Sequence, residues 1–300
     1  MNPPSLLSSL IKLIRPKQWT KNLLVFAALL FTAKYNDPHE VLRAFSAFFA
    51  MSMISSCTYV FNDLFDIERD RRHPKKKNRP LASGAVSKEV GFALGGGLFI
   101  AGTLVAVGLG RGTIDIVAIY IVMQVLYNWR LKHVAVADVF TIAVGFVLRA
   151  VLGAAAIHVN ISSWLLFCTG ALALMLGFAK RRNEFILQGD DRTSSRESLV
   201  HYTRSALDAI VVMFAAGAAM SYGIYSIQSH TAQKYPGLIL TSLFVFYGIT
   251  RYILLIFTLD EGGEPADVLF KDRHMIASIL LFVISAGWAM SGHQLPFLEQ

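Results

Sequence analysis

Long apolar stretches occupy most of this 300-residue chain, and they restrict the folds it can adopt more than any other feature. Hydrophobic residues make up 54% of the sequence, charged residues 16%, and the mean hydropathy is +0.50. About 20 consecutive apolar residues cross a bilayer as a helix. The composition therefore predicts an all-α, polytopic membrane bundle. We assign nine transmembrane stretches, at residues 22–34, 42–62, 89–109, 113–129, 134–157, 162–179, 206–228, 237–259 and 274–294.

Basic residues are distributed unevenly between the two ends of these stretches. They concentrate in segments 1–21, 63–88, 128–133, 180–205 and 260–273, whereas Lys34, Arg111 and Lys234 lie at the opposite ends. By the positive-inside rule, the five segments face the cytoplasm and the C-terminus lies outside the cell (inner) membrane. Segment 1–21 reads as an amphipathic entry segment. We expect residues 1–300 to form one membrane domain, because no polar stretch is long enough for an independent core.

The residues that end the second stretch, Asn62 to Asp70, carry the strongest functional signal. Asn62, Asp66 and Asp70 fall four positions apart, so on a helix one amide and two carboxylates share a face. Mg²⁺ binds one or two carboxylates together with substrate phosphates, so this face beside the basic residues 73–80 predicts a site for a metal-bound diphosphate. Asp66 and Asp70 are the candidate catalytic residues, and with Asn62 they are the candidate metal ligands. A solvated loop is the competing interpretation, but it does not explain carboxylates in helical register at a membrane edge.

Basic side chains around this motif and after the sixth stretch are candidates for holding substrate phosphates. Arg149 lies within an apolar stretch, so it either contacts a phosphate or pairs with Asp138 on the same span. Glu184 follows the basic triplet 180–182 and favours a second wall of the site, although such triplets are also topological signals. The candidate phosphate-binding residues are Lys17, Lys21, Lys77, Arg79, Lys132, Arg149, Lys180, Arg181, Arg182 and Glu184.

Two further features have structural interpretations. Glycines 95–97 and 102 lie within a span, where small residues allow close helix packing, so we interpret them as packing residues and not as a phosphate-binding loop. The acidic segment 260–273 either closes over a site or is a solvated turn.

With nine spans, and with Asn62-x-x-x-Asp66-x-x-x-Asp70 after the second, the chain resembles the UbiA superfamily of intramembrane prenyltransferases over nearly its whole length. In that family the corresponding Asn and two Asp hold Mg²⁺ on a diphosphate, inside a helical bundle open laterally to lipid. Where the family has a second Asp-x-x-x-Asp motif, residues 180–184 read Lys-Arg-Arg-Asn-Glu. This departure, together with segments 15–22 and 145–150, resembles the branch of decaprenyl-phosphate phosphoribosyltransferases.

The resemblance implies a Mg²⁺-dependent glycosyltransferase, a pentosyltransferase. It would move 5-phosphoribose from phosphoribosyl diphosphate to a polyprenyl phosphate of the decaprenyl type, releasing diphosphate and giving a lipid-linked phosphoribose for cell-envelope glycan precursors. One alternative is a prenyltransferase of the same family that moves a prenyl group from prenyl diphosphate to an aromatic or quinone acceptor. A second alternative is a non-enzymatic anion or lipid transporter. No nucleic-acid partner is expected.

Overall fold

The computed structural model describes residues 5–74, 76–188, 197–258, 268 and 271–291, and this part of the chain is helical, without β-strands. The chain packs as two compact units. Unit one comprises Met1–Asn128 and Leu148–Asn160, and unit two comprises Trp129–Val147 and Ile161–Gln300. The α-helices are α1 (Leu6–Ile14), α2 (Ala27–Phe31), α3 (Pro38–Phe65), α4 (Ile67–Arg72), α5 (Lys88–Leu109), α6 (Arg111–Trp129), α7 (Ala137–Ala156), α8 (Ser163–Gln188), α9 (Arg204–Gln228), α10 (His230–Lys234), α11 (Thr241–Thr258) and α12 (Arg273–Met290).

Eight helices in the described ranges are long and apolar enough to cross a membrane. They are α3, α5, α6, α7, α8, α9, α11 together with the 3₁₀ turn Pro236–Leu240 before it, and α12. These eight match the second to the ninth stretches predicted from sequence, and the protein is a multi-pass integral membrane protein. The first predicted span, 22–34, is wrong as a regular helix, because those residues are divided between the 3₁₀ helix Pro16–Phe26 and the short α2.

This N-terminal segment nevertheless runs antiparallel to α3 over most of its length. Its successive side chains contact successively earlier residues of α3: Arg15 with Asp63, Trp19 with Ser56, Asn22 with Ser52, Phe26 with Phe48, and Lys34 with Glu40. A 3₁₀ helix rises about 2.0 Å per residue against about 1.5 Å in an α-helix. The extended rise lets a stretch that is too short for an α-helical span follow the partner helix.

Helix starts are set by side-chain caps. Ser87, Thr203 and Asp272 each accept a hydrogen bond from the backbone N–H three residues later, at the starts of α5, α9 and α12. Arg251 of α11 also binds Asp272 at 2.8 Å, and this hydrogen bond lowers the pKa of the Asp272 carboxyl to about 2. The cap of α12 is therefore ionised at any physiological pH.

In unit one, α5 packs closely on α3 through glycines. A side chain at Gly102 would meet Ile54 at 2.9 Å and the carbonyl oxygen of Ala50 at 3.1 Å, and one at Gly95 would meet Phe61 at 3.1 Å. The prediction that these glycines serve helix packing is confirmed at both positions. Glycines 96 and 97 face open space instead, because they lie on other sides of the same helix.

The ends of α5 and α7 are joined by Arg43 of α3. Its Nε donates to the carbonyl oxygen of Ala156 at 2.6 Å, and its Nη2 donates to that of Leu109 at 2.8 Å and contacts Nε2 of His158 at 2.6 Å. The last carbonyls of a helix have no partner within the helix. One guanidinium therefore caps two helices of unit one at once.

The core of unit two is formed by α8 and α9 with parts of α7 and α11. Phe178 of α8 stacks on Phe214 of α9, with ring centroids 5.8 Å apart, and Tyr202 meets Phe178 edge to face. These aromatic contacts fix the facing sides of α8 and α9. The residues that follow Phe178 along α8 include the basic triplet 180–182, so this packing sets where those charges project.

The close approach of α7 to the N-terminal segment at Gly153 allows the path of that segment to be tested. A Cβ at this position of α7 would overlap the carbonyl oxygen of Val25 in the 3₁₀ helix. We expect Gly153→Ala to lower the thermal unfolding temperature of the detergent-solubilised protein, because the backbone of one segment must move. Gly97→Ala is the matched control: it meets nothing within 4 Å and should be neutral or stabilising by up to about 1 kcal/mol. Equal unfolding temperatures for both variants would contradict the close approach.

Candidate active site

The acidic motif lies where α3 ends and α4 begins. α3 ends at Phe65 and α4 starts at Ile67, with Asp66 between them. Backbone hydrogen bonds continue through this junction, from Asp66 N to Asn62 O at 3.0 Å and from Asp70 N to Asp66 O at 2.8 Å. The four-residue backbone register predicted from sequence is therefore kept, although two helices take the place of one.

Asp63, one residue after Asn62, is the centre of an ion-pair cluster. Its two oxygens accept hydrogen bonds from Nη2 of Arg15 at 2.6 and 2.8 Å, and Oδ1 also accepts from Nη1 of Arg79 at 2.9 Å. The same Nη1 donates to Oδ2 of Asp70 at 2.7 Å. Asp63 and Asp70 are 3% and 1% exposed. Arg79 thus joins two buried carboxylates through charge-assisted hydrogen bonds.

Arg15 reaches Asp63 because the chain turns sharply at this residue. Its φ is 54°, in the left-handed region that residues other than glycine seldom adopt. The guanidinium also lies 5.0 Å from the ring centroid of Tyr59, a distance at which a cation is attracted to the aromatic face. A strained backbone held by long-range contacts is typical of functional sites.

Asp66 has a more accessible environment than its two neighbours in the motif. Its Oδ2 accepts a hydrogen bond from Nη2 of Arg69 at 2.6 Å, and the two side chains are 19% and 59% exposed. Ion pairs of this accessible kind contribute about 0–1 kcal/mol to stability. The Asp66 carboxylate can therefore exchange Arg69 for another cation at low cost.

The motif fits a divalent cation in one specific respect. Oδ1 of Asp70 is buried and accepts no hydrogen bond from the residues the structure describes, and a buried acceptor without a donor is costly. Within the same residues, no three His, Cys, Asp or Glu side chains converge as a preformed metal site. Mg²⁺ does not need one, because it takes one or two carboxylates and completes its shell with water and substrate phosphates.

Arg149 is buried in unit one, where it binds two neutral polar side chains. Its Nε donates to Oδ1 of Asn22 at 2.7 Å, and its Nη2 donates to the hydroxyl of Tyr120 at 3.1 Å. Asn22 in turn donates to Ser52 at 3.0 Å. The sequence offered Asp138 as a structural partner of this arginine, whereas these hydrogen bonds connect it to the N-terminal segment, to α3 and to α6.

Arg181 belongs to a second buried cluster, in unit two. Its Nε donates to Oδ2 of Asp138 at 2.8 Å, and its Nη1 donates to Oε2 of Glu184 at 2.7 Å. Ser198 also donates to Oδ2 of Asp138, at 3.4 Å. Arg181 and Asp138 have almost no exposed side-chain surface. Removing one partner of such a pair is destabilising, because it leaves an uncompensated buried charge.

A strained turn leads into the helix that carries Asp138. Val136 has φ 67°, a conformation that is unfavourable for a β-branched residue. Its backbone N–H donates a hydrogen bond to the hydroxyl of Tyr202. Tyr202 is therefore a positioning residue, since it holds the turn from which α7 starts and so the place of Asp138.

Arg182, the next residue of the triplet, points to different partners in unit two. Its Nε donates to Oδ1 of Asp208, and its Nη1 donates to the carbonyl oxygen of Ile256 at 2.8 Å. The guanidinium lies 4.7 Å from the ring centroid of Phe257. Arg181 and Arg182 therefore each have a carboxylate partner in the folded protein.

The other candidates are more accessible. Lys17, Lys21 and Lys77 are exposed in unit one, and Lys132 and Lys180 are partly buried in unit two. The structure thus gathers Asn62, Asp66, Asp70 and Arg79 around one helix junction, and groups Arg181 and Glu184 through a shared hydrogen bond. Residues 189–196 and most of segment 260–273 lie outside the described residues. The two interpretations of segment 260–273, closure over a site or a solvated turn, therefore stay predictions.

Four residues with evident roles were absent from the candidates chosen from sequence: Arg15, Asp63, Tyr120 and Asp208. Asp63 and Arg15 lie within segments that the sequence had singled out, so a search for charge balance would have found them. Tyr120 and Asp208 carry no local signal, because each lies at least 26 residues from the arginine it binds.

Comparisons with known proteins agree with the fold. The profile of the UbiA prenyltransferase family matches residues 23–271. Proteins named decaprenyl-phosphate phosphoribosyltransferase are similar over almost the full length: the one from Mycolicibacterium smegmatis is 31% identical, covering 96% of this chain and 94% of its own, and the one from Corynebacterium glutamicum is 31% identical, covering 95% and 86%. A solved UbiA homologue from Archaeoglobus fulgidus bound to DMAPP and Mg²⁺ has a TM-score of 0.72 at 14% identity, covering 95% of this chain and 99% of that chain, and this likeness concerns the fold alone.

Asp63 and Asp66, at the helix junction, should contribute to stability to different extents. We expect Asp63→Asn to reduce the free energy of unfolding by about 1–3 kcal/mol, since Arg15 and Arg79 lose a charged acceptor. Asp66→Asn should also be destabilising but by less, about 0–1 kcal/mol, because it loses a partly exposed pair. Thermal unfolding in detergent distinguishes the two, and a larger loss for Asp66→Asn would contradict the assignment of Asp63 as the centre of the cluster.

Proposed function

We propose, on the premise that this chain belongs to the UbiA prenyltransferase family, that it transfers 5-phosphoribose from phosphoribosyl diphosphate to a polyprenyl phosphate and releases diphosphate. The observation that carries the proposal is the Asp63–Arg79–Asp70 cluster with its buried acceptor on Asp70. Such a cluster suits a ligand that brings a divalent cation and phosphates together. The names of the relatives from Mycolicibacterium smegmatis and Corynebacterium glutamicum support this particular donor and acceptor.

Asn62, Asp66 and Asp70 are the proposed metal ligands. Mg²⁺ bound there would neutralise the donor diphosphate and stabilise the charge that this group gains as it leaves. The surrounding cluster holds three carboxylates, Asp63, Asp66 and Asp70, against three guanidiniums, Arg15, Arg69 and Arg79. Because the carboxylates and guanidiniums of this cluster balance, a bound divalent cation adds excess positive charge. The cluster accepts the cation more readily when one arginine moves from its carboxylate to a phosphate of the donor.

Arg79 is the residue we propose to make that move. It bridges Asp63 and Asp70 and is about a quarter exposed, so it can rotate toward solvent while one of its hydrogen bonds is kept. In this proposal Arg79 leaves Asp70 to the metal, stays on Asp63 and donates to the diphosphate. Lys17, Lys21 and Lys77 are exposed cations of the same unit that we propose to hold phosphate oxygens.

The transfer depends on the placement of the reacting groups more than on a strong base. A phosphate oxygen of the lipid attacks C1 of the ribose, the bond from C1 to the diphosphate oxygen breaks, and the electron pair leaves with the diphosphate. The lipid phosphate is already anionic near neutral pH, so the protein needs to orient it beside a carbon with developing positive charge. We propose Arg149, Lys132 and the group of Lys180, Arg181, Arg182 and Glu184 as the further residues that hold phosphates and the ribose.

The proposed orientation places this chemistry at the cytoplasmic face of the cell membrane. The basic segments that include residues 63–88 and 180–205 face the cytoplasm under the positive-inside rule. Soluble phosphoribosyl diphosphate and Mg²⁺ would reach the site from that side, and the lipid acceptor from the bilayer.

A second candidate function is prenyl transfer to an aromatic or quinone acceptor. The observation that favours it is the likeness in fold to a homologue solved with DMAPP and Mg²⁺. The basic triplet, in the place of the family's second acidic motif, favours phosphoribosyl transfer. The third possibility is transport of an anion or a lipid. Transport does not explain why a buried oxygen of Asp70 lies beside Arg79, an arginine that we propose can leave this carboxylate.

We expect the purified protein in detergent to transfer label from phosphoribosyl diphosphate labelled in the ribose to decaprenyl phosphate in the presence of Mg²⁺. The lipid phase is extracted and counted. A chelator should abolish transfer, and Asp66→Asn should abolish it while leaving the unfolding temperature nearly unchanged. Label that stays aqueous with folded protein, together with transfer from a prenyl diphosphate, would replace this proposal with the second one.

Arg79→Gln tests the exchange of arginine for metal. Without its competing guanidinium, Asp70 should bind Mg²⁺ more readily, so the half-saturating Mg²⁺ concentration falls by about tenfold to hundredfold, the factor expected for one hydrogen bond between charged groups. The KM for the donor should rise at the same time, because a phosphate contact is lost.

Arg71→Gln is the matched control, because Arg71 pairs with the exposed Glu68. Both constants should stay unchanged in that variant. A half-saturating Mg²⁺ concentration that rises in Arg79→Gln would exclude the exchange.

A further inference from the structure

One face of α3 is polar along the part of the helix that leads from the acidic motif into the membrane span. The residues of this face are three or four positions apart: Ser52, Ser55, Tyr59 and Asn62. Polar residues within a span turn toward the bundle interior or a water-filled cavity. The side-chain nitrogen of Asn22 donates to Ser52 and Ser55. Tyr59 is therefore the polar group next to Asn62 on this face, about 4.5 Å further along the helix axis into the span.

A second polar face lies on α6, in the same unit. Tyr120, Gln124 and Tyr127 are four and three positions apart, on the side of the helix that buries Val117. The hydroxyl of Tyr59 is close enough to those of Tyr120 and Tyr127 to interact with both electrostatically. Because Gln124 lies between these two tyrosines on the same side of α6, its amide is level with Tyr59. The polar faces of α3 and α6 are thus turned toward each other.

Three of these side chains have hydrogen-bonding groups that a ligand can use. Tyr59, Gln124 and Tyr127 are half-buried, and their side chains form no hydrogen bond with the residues that the structure describes. A hydrophobic cluster that includes Ile54 of α3 and Val117 of α6 lies further into the span. The three polar side chains are therefore on the side of this cluster that is nearer the acidic motif.

We propose that Tyr59, Gln124 and Tyr127 bind the ribose hydroxyls of the donor, an inference that rests on the function proposed above. The sugar carried by a diphosphate on Mg²⁺ at Asn62 would lie beside these side chains, one helical turn into the span. Phenol and amide groups are neutral and can both donate and accept, so they suit a polyol. A prenyl chain would leave them desolvated and without partners, which is costly. The polar lining therefore selects a sugar diphosphate over a prenyl diphosphate.

The test measures binding by titration calorimetry of the full-length protein in detergent, with Mg²⁺ and without a lipid acceptor. Tyr59→Phe, Gln124→Leu and Tyr127→Phe should each weaken the binding of phosphoribosyl diphosphate by about twofold to tenfold, the factor expected for one hydrogen bond between neutral groups. Inorganic diphosphate carries no ribose, so its binding should stay unchanged. Tyr59→Phe keeps the aromatic ring that contacts Arg15, so the variant removes the hydroxyl alone.

Tyr35→Phe is the matched control, because Tyr35 also belongs to unit one but precedes the opposite end of α3. It should bind both ligands as the wild type does. Dimethylallyl diphosphate should bind the double variant Tyr59→Phe/Gln124→Leu more tightly than the wild type, because the lining has become apolar. Equal weakening of both ligands, or unchanged binding of phosphoribosyl diphosphate in all three variants, would overturn the inference. The predicted binding without transfer to lipid would overturn the proposed reaction and leave the ribose contacts in place.

Discussion

The carboxylate of Asp63 holds three separate parts of unit one together. It lies on α3 and accepts hydrogen bonds from Arg15, at the start of the 3₁₀ segment, and from Arg79, in the loop before α5. Because Asp63 is buried, these interactions are weakly screened and each lost partner would leave a poorly solvated charge. The place of the N-terminal segment along α3, and of the loop beside Asp70, both depend on this one side chain.

Buried and half-buried arginines elsewhere in the protein follow the same physical rule. Arg43 satisfies two helix ends, Arg149 is solvated by an amide and a phenol, and Arg181 is paired with Asp138. An unpaired guanidinium within a membrane span would be costly, so each one brings together elements that are distant in sequence. In this chain charged residues therefore organise the packing of apolar helices as well as offering candidate contacts to phosphate.

The same charge arrangement gives the candidate site its chemical character. Asp66 and Asp70 share a helix junction, yet Asp66 has an exposed partner, whereas Asp70 is bridged to Asp63 by Arg79 and has one oxygen that meets no donor among the described residues. The acidic motif lies at the junction of α3 and α4, and the basic triplet 180–182 lies on α8. Because one fold can carry many functions, function has to be inferred from such local groups of charged residues and not from the fold.

The sequence by itself determined the all-helical membrane fold, eight of the nine predicted spans, and the four-residue register of Asn62, Asp66 and Asp70. Hydropathy and helical period are properties of neighbouring residues, so they can be read along the chain. Tertiary structure decided that residues 22–34 follow α3 as a 3₁₀ segment and a short α-helix, that Arg149 binds Asn22 and Tyr120, and that Arg79 binds Asp70. Those outcomes depend on which helices pack together, and Asn22 and Arg149 are 127 residues apart, so no local pattern contains them.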